Sequence, residues 1–324
     1  MPSNDNVPML NLLAVGGAHV DRRGQVSGLF VEGASNPGIM HEEVGGGVFN
    51  ALRNAAARGI TASLLSLRGG DPTGAIVAKA VAEAGITDLS VTFLDRQTAS
   101  YTALLDRDGE LIAGLADMAL YDTAFAKQLS RRKSRDAVDA AHAILCDANM
   151  PPDALQALAE MAGGRKPLHA IAISPVKSLR LSGVLPRLAC LFMNVREAAG
   201  LSGLTVADGV PKIIEALRKR GLAAAVITAG HEPVLAYDRD GVFSLTPPRP
   251  SRIADVTGAG DALAGVTIAA LMLGAKLRPA LREGMAAAVL AVESPLAVPE
   301  FDGAAFDETL ARVPDVEPVW SPKA

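Results

Sequence analysis

Aromatic residues are scarce in this chain: 4% of 324 residues, with one Trp and three Tyr. A surface that stacks single-stranded bases needs more rings than that. Basic residues are not in excess either. A formal net charge of −4 and a pI near 5.8 give no general pull toward nucleic acid or an anionic membrane, so neither is an expected partner. The basic cluster Arg131-Arg132-Lys133 is broken by Ser134 and followed by Asp136, which suits a solvated face. Long apolar runs are missing: the longest, around Thr267 to Ala275, is too short to span a bilayer. The N-terminus lacks the basic-then-apolar pattern of a secretory leader. Only two cysteines occur, Cys146 and Cys190, both in apolar runs, as expected of buried free thiols in a reducing cytosol. The five histidines, His19, His41, His142, His169 and His231, show no metal-ligand spacing. The expectation from these absences is a soluble, cytoplasmic protein.

What the chain has in abundance is Ala, Gly and aliphatic residues, in a length able to bury a large core. Leu12-Leu13-Ala14-Val15 is a short apolar run ending in Gly16-Gly17, a buried strand entering a turn. His19 and Asp21 follow at that strand's C-terminal end, where open α/β sheets bind ligands. Val26 to Glu32 and Ile39 to Val44 read as a strand pair around Ser35-Asn36-Pro37-Gly38. Gly45-Gly46-Gly47 then opens a helix that carries Asn50 and Asn54 on one face. Strands are expected again at Val91–Leu94, Ser100–Asp106 and Glu110–Ala116. From Ala143 onward strands and helices alternate, which argues a mostly parallel sheet covered on both faces. The tail from Val313 is expected to be loosely attached.

One stretch concentrates chemistry: Asp255-Val256-Thr257-Gly258-Ala259-Gly260-Asp261, followed by small and apolar residues. A glycine turn that opens a helix leaves amides without partners, and the helix dipole favours an anion there. Asp261 would repel that anion, so it needs another role, and a general base beside a phosphoryl group fits. A capped loop is the plain alternative. The stretch is neither a dinucleotide fingerprint, since Leu263 stands at the sixth position, nor a Walker loop, since no Gly-Lys-Ser/Thr follows. Asn194-x-x-Glu197 likewise has two readings, a helix cap with a capping-box glutamate or a pair of polar groups at a strand end.

In order, Gly45-Gly46-x-x-x-Asn50, Asn194-x-x-Glu197, Thr228-x-Gly230 and Asp255-x-Thr257-Gly258-Ala259-Gly260-Asp261 resemble the ribokinase-like (PfkB) family of sugar and nucleoside kinases. Within it, Gly16 to Asp21, Ser35-Asn36-Pro37-Gly38, Ala99 to Asp106 and Ala116-Asp117-Met118 are most similar to the pseudouridine kinases. The resemblance implies a three-layer α/β/α core, from residues 1–22, 45–90 and 117–324, and a small β-sheet lid from residues 23–44 and 91–116. It implies ATP and Mg²⁺ as cofactors, a small nucleoside or sugar as acceptor, and a homodimer paired through the lids. Asp261 would be the base for the acceptor's 5′-hydroxyl, with the amides of Gly258, Ala259 and Gly260 as the anion hole. Asp21, His19, Gly45, Gly46, Asn50 and Asp117 would bind the acceptor. Asn194 and Glu197 would hold Mg²⁺ through waters, and Thr228, Gly230 and Thr257 would line the nucleotide site. Asp255, with Thr257, matches positions that in many relatives hold a monovalent cation such as K⁺. Ribose or a purine nucleoside is the alternative acceptor, and a non-catalytic nucleoside sensor the alternative of another class. His19, Phe49 and Ser174 depart from residues common in relatives, which bears on the acceptor's identity.

Overall fold

The computed structural model describes residues 10–296, 298–299 and 302–320. The first nine residues, on which the leader expectation rests, lie outside that set. Alternation along each core strand decides the layers. In Asn11–Val15, Leu12 and Ala14 face one apolar cluster, while Leu13 and Val15 face the other. Both faces must therefore be covered, and helices cover them. Gly47–Ala56, Ala259–Met272 and Leu277–Glu293 pack on the first face; Ala119–Leu129, Pro152–Ala162 and Val210–Lys219 pack on the second. The two cysteines are free and buried, Cys190 in the first cluster and Cys146 in the second.

The central sheet has ten strands. From one edge they run Glu317–Trp320, Gly241–Leu245, Glu232–Asp238, Ala225–Ala229, Cys190–Asn194, Leu168–Ile171, Ala143–Asp147, Asn11–Val15, Thr61–Leu65 and Thr87–Asp88. The pairs from Ala225–Ala229 to Thr87–Asp88 are all parallel; the first three strands join antiparallel. This is the mostly parallel three-layer core expected. Among the described residues no helix is long and apolar enough to cross a membrane.

A separate four-stranded sheet has the order Gly38–Gly45, His19–Val26, Ser100–Leu105, Leu111–Asp117. Its first strand differs from the expectation. The strand is His19–Val26, not Val26 to Glu32, and Leu29, Phe30 and Val31 are exposed. Register explains the shift. Arg22 faces Glu42 and pairs with it at 2.8 Å, and Arg23 pairs with Glu43 at 2.5 Å. Cross-strand charge pairs and ladder bonds hold a strand whose sequence reads as polar. Val91–Phe93 also differs: it pairs in parallel with Leu67–Gly69 and does not enter the four-stranded sheet. The tail is attached, against expectation. Val313 is buried, Arg282 donates to the carbonyls of Val313 and Pro314, and Glu317–Trp320 extends the large sheet. Residues 321–324 lie outside the described set.

Candidate functional site

Parallel strands deliver their C-terminal ends to one edge, and a cavity of about 510 Å³ opens there. His19, Asp21, Gly46, Asn50, Asn194, Glu197, Thr228, Thr257, Gly260 and Asp261, all singled out from sequence, line it. The structure thus gathers residues that are up to 242 positions apart, from His19 to Asp261.

Asp261 sits in the first turn of the helix Ala259–Met272. That helix begins at Gly258, whose φ of +78° favours glycine, and no side chain caps it. A Cβ on Gly260 would meet nothing within 4 Å, so the turn is open on the cavity side. Of this turn Gly260 lines the cavity, while Gly258 and Ala259 lie outside its lining and the Ala259 amide donates to the Val256 carbonyl at 3.5 Å; a helix start without a side-chain cap suits an anion. Burial pushes the Asp261 carboxyl up to about 7; the hydrogen bond from Asn50 pulls it down, Asp147 and Asp21 push it further up, and Arg53 pulls it down.

The orientation of that carboxylate is built by the helix Gly47–Ala56. Asn50 Nδ2 donates to Asp261 Oδ2 at 2.9 Å, and Arg53 Nη2 donates to Asn50 Oδ1 at 2.6 Å. Arginine can only donate, so the Asn50 oxygen must face Arg53 and its nitrogen must face Asp261. Arg53 is itself steadied by the Phe49 ring, 4.5 Å from its centroid. Phe49 is thereby given a structural partner. Asn54 has a different role: buried, it donates to the Asn50 carbonyl at 2.9 Å.

Asp21 lies across the cavity mouth on the small sheet. His19 Nε2 is 3.3 Å from its Oδ1, while His19 Nδ1 is buried without a partner among the described residues. The glycines explain the close approach. A Cβ on Gly45 would fall 2.3 Å from Asp21 Oδ2, and one on Gly46 would fall 2.2 Å from the Gly17 carbonyl oxygen. Tyr101 and Ala116 from the small sheet, and Met118 just after it, complete this end, with Ile171, Ile173, Phe192 and Leu263 giving apolar walls.

Both readings of Asn194-x-x-Glu197 hold together. Asn194 Oδ1 accepts from the Arg196 and Glu197 amides at 2.9 Å, and Glu197 Oε2 accepts from the Asn194 amide at 2.7 Å, a full capping box. Both side chains nevertheless line the cavity. Burial pushes the Glu197 carboxyl up, opposed by its bonds to Asn194. Among the described residues no cluster of three or more His, Cys, Asp or Glu is arranged to hold a metal directly. The Asn194 oxygen is taken up by two backbone amides, and the Glu197 carboxylate keeps one oxygen free of the cap, which fits a magnesium ion held through its waters.

Other candidates fall outside the lining. Asp117 is exposed and accepts from the Ala119 amide at 3.4 Å, although its neighbours Ala116 and Met118 line the cavity. Gly230 is an exposed turn residue with φ +68°. The Asp255 carboxylate accepts from the Thr257 amide at 2.8 Å and from Arg23 Nη1 at 2.9 Å. A guanidinium therefore stands beside the carboxylate for which the resemblance implies a monovalent cation. Sequence reasoning missed Arg23, Arg53, Tyr101, Asn149 and Lys177. Only Lys177 left a local trace, one turn past the apolar strand Leu168–Ile171.

The sequence profile of the pfkB family carbohydrate kinases matches residues 9–300. The chain is 28% identical to a pseudouridine kinase of Escherichia coli (strain K12) over 255 residues, 78% of this chain and 80% of that protein. A solved carbohydrate kinase from Agrobacterium tumefaciens is 44% identical, superposes with a TM-score of 0.85, and covers 95% of this chain and 99% of its own. The structure of Arabidopsis thaliana ribokinase complexed with ribose and ATP superposes with a TM-score of 0.81 at 18% identity, covering 93% of this chain and 98% of that one, which compares the fold alone.

Proposed function

Because this chain belongs to the pfkB family of carbohydrate kinases, we propose that it transfers the γ-phosphoryl group of ATP to the 5′-hydroxyl of pseudouridine. The observation that carries the chemistry is Asp261: a carboxylate raised to about 7 in the first turn of a helix without a side-chain cap, in the same cavity as Asp21. A base poised near the working pH combines the ionised form with enough basicity to take a proton. In this reading Asp261 removes the proton of the attacking hydroxyl. The amides of Gly258, Ala259 and Gly260 meet the charge that grows on the transferred group. Asp21 accepts from two neighbouring ribose hydroxyls, a good way to select a cis-diol, and His19 keeps its carboxylate in place. Asn194 and Glu197 would hold Mg²⁺ through waters, and the ion would neutralise charge on the phosphates. The small sheet acts as a lid that excludes water, so that ATP is not spent on hydrolysis.

Pseudouridine is chosen over other acceptors because the E. coli relative carries that name and because the lid stretches resemble its family. The test is ADP release with Mg-ATP and pseudouridine, uridine, cytidine, ribose, adenosine or inosine. Pseudouridine should give the highest kcat/KM, rising with pH through about 7 and levelling above it as Asp261 ionises. A preference for ribose or a purine nucleoside would overturn the acceptor and leave the kinase; silence on all would favour a sensor. Gly45→Ala should leave the fold intact and turn the Asp21 carboxylate aside, since only the far end of a side chain has to give way. Acceptor KM should then rise by about 10–100-fold, the worth of hydrogen bonds to a charged group, with ATP KM unchanged. We extend the proposal to a homodimer joined through the small sheet, where Ile39, Met40, Leu111 and Leu115 are each more than half exposed. A solution mass of one chain would rule it out.

A further inference from the structure

Three carboxylates, Asp21, Glu197 and Asp261, line the cavity, against a single lysine or arginine, Lys177. None of the site residues read from sequence supplies a cationic side chain. A reaction that moves a phosphoryl group between two oxygens needs positive charge near its midpoint. The sheet order fixes where that midpoint lies. Asn194 ends the strand Cys190–Asn194 and Thr228 stands one residue before the end of Ala225–Ala229, while His19 and Asp21 follow Asn11–Val15. Between these two groups stand Leu168–Ile171 and Ala143–Asp147. Lys177 and Asn149 lie just past the C-terminal ends of those middle strands, and both line the cavity. Lys177 is thus set between the nucleotide half and the acceptor half.

Its placement is constrained from several sides. Ile173 has φ +70°, the one positive value at a non-glycine among the described residues. A β-branched residue in that region is a strained outlier that the surrounding structure has to hold in place. It turns the chain into Pro175–Ser178, where Ser174 Oγ accepts from the Lys177 amide at 3.3 Å. Lys177 Nζ donates to Asn149 Oδ1 at 2.7 Å. Asn149 Nδ2 in turn donates to Asp147 Oδ2 at 3.1 Å. Asp147 is fully buried and also accepts from the amides of Asn149 at 3.0 Å and Gly17 at 3.1 Å. Gly17 stands two residues before His19, so the relay ends on the strand edge that carries Asp21. An ammonium has three donors. Asn149 takes one, and no other protein acceptor engages Nζ among the described residues. Burial pulls the Lys177 amine down from its usual range, and Asp147 pulls it back up.

We propose that Lys177 contacts the phosphoryl group in transit, and that Asn149 and Asp147 position it. The proposal rests on the kinase reading above. In the step, the bond from the γ-phosphorus to the bridging oxygen of ATP breaks and its electron pair leaves with ADP. A bond forms from that phosphorus to the acceptor oxygen, whose proton goes to Asp261. Lys177 exchanges no proton; its charge follows the equatorial oxygens from donor to acceptor.

The test compares wild type, Lys177→Met, Lys177→Arg and Asn149→Ala with one acceptor. Wild type comes first: if it releases no ADP with any acceptor, the kinase reading itself fails. With an active wild type, Lys177→Met should lower kcat by about 10²-fold, the usual effect of removing one oxyanion donor, and leave acceptor KM nearly unchanged. Lys177→Arg should recover part of the loss. The complex of ADP, aluminium fluoride and acceptor, read by calorimetry, should weaken by a similar factor while ADP alone binds as before. Asn149→Ala should lower kcat less, and adding it to Lys177→Met should cost nothing further. Unchanged kcat, a rise confined to acceptor KM, or equal weakening of ADP and its fluoride complex would overturn the proposal. Should Lys177→Met fail to fold, Asn149→Ala keeps the lysine and still has to lower kcat and the affinity of the fluoride complex.

Discussion

Asp261→Asn is expected to lower kcat by about 10²–10⁴-fold, the range over which a positioned base contributes, while acceptor and ATP still bind. Asparagine has the shape to keep the Asn50 hydrogen bond through its own oxygen, so the cavity wall should stay in place. What it lacks is a lone pair basic enough to take the hydroxyl proton. The same substitution has a signed effect on stability. The folded carboxyl titrates near 7, above its ordinary value of 3.8, because burial disfavours the charge. Its contribution to folding is fully present below pH 3.8 and is lost as pH rises through about 7. Above pH 7 the wild type therefore carries a buried charge that the variant does not. Asp261→Asn should melt higher than wild type at pH 8, by an amount worth on the order of 1–2 kcal/mol once solvent in the open cavity is allowed for. At pH 4 the two should melt together. Turnover close to wild type would remove Asp261 from the chemistry, and equal melting temperatures at pH 8 would remove the strain attributed to it.

The second large effect is expected at Gly46. Its φ of +115° lies where side chains are rarely tolerated, and a Cβ there would fall 2.2 Å from the Gly17 carbonyl oxygen and 3.2 Å from the Ala18 Cα. Both obstacles are backbone, and they belong to the segment that leads into His19 and Asp21. Gly46→Ala must therefore push two chain segments apart or force an unfavourable dihedral. Strain and overpacking together cost about 2–6 kcal/mol, so a melting temperature lower by roughly 5–15 °C is expected. Activity should be lost as well in whatever fraction remains folded. Gly28→Ala is the matched control. No atom lies within 4 Å of its added Cβ and its φ is not positive, so it should melt with wild type.

Much of the fold could be read from the chain because its signals are local. Leu12 to Val15 and Ala143 to Cys146 are unbroken apolar runs, and a strand buried on both faces has to look like that. The turn at Gly258 is equally local: the residue that needs the positive φ, the open amides and Asp261 are consecutive. The strand His19–Val26 was misplaced because its stability comes from Glu42 and Glu43 on another strand, which no apolar pattern announces. The attachment of the tail depends on Arg282 and on an edge strand, Gly241–Leu245, that was open to receive it. The site shows the same division. Asn50 was legible as a polar residue beside glycines, but its bond to Asp261 spans 211 positions, and Arg53, which fixes its orientation, reads in sequence as a surface helix residue. Lys177 and Asn149 share no motif and meet only because their strands are neighbours.

Arg23 joins the small sheet to the loop before the Gly258 turn, reaching Asp255 across 232 positions of sequence. Any motion that lifts the sheet has to separate these two charges. Both side chains are 28% exposed, so the pair is worth about 1 kcal/mol or less and does not lock the cavity on the timescale of turnover. Its strength is also set by the medium, because salt screens exposed charges over about 8–10 Å. If release of product through this opening limits the cycle, added salt speeds it. The rate of the cycle then rises with ionic strength, and Arg23→Met would remove that rise.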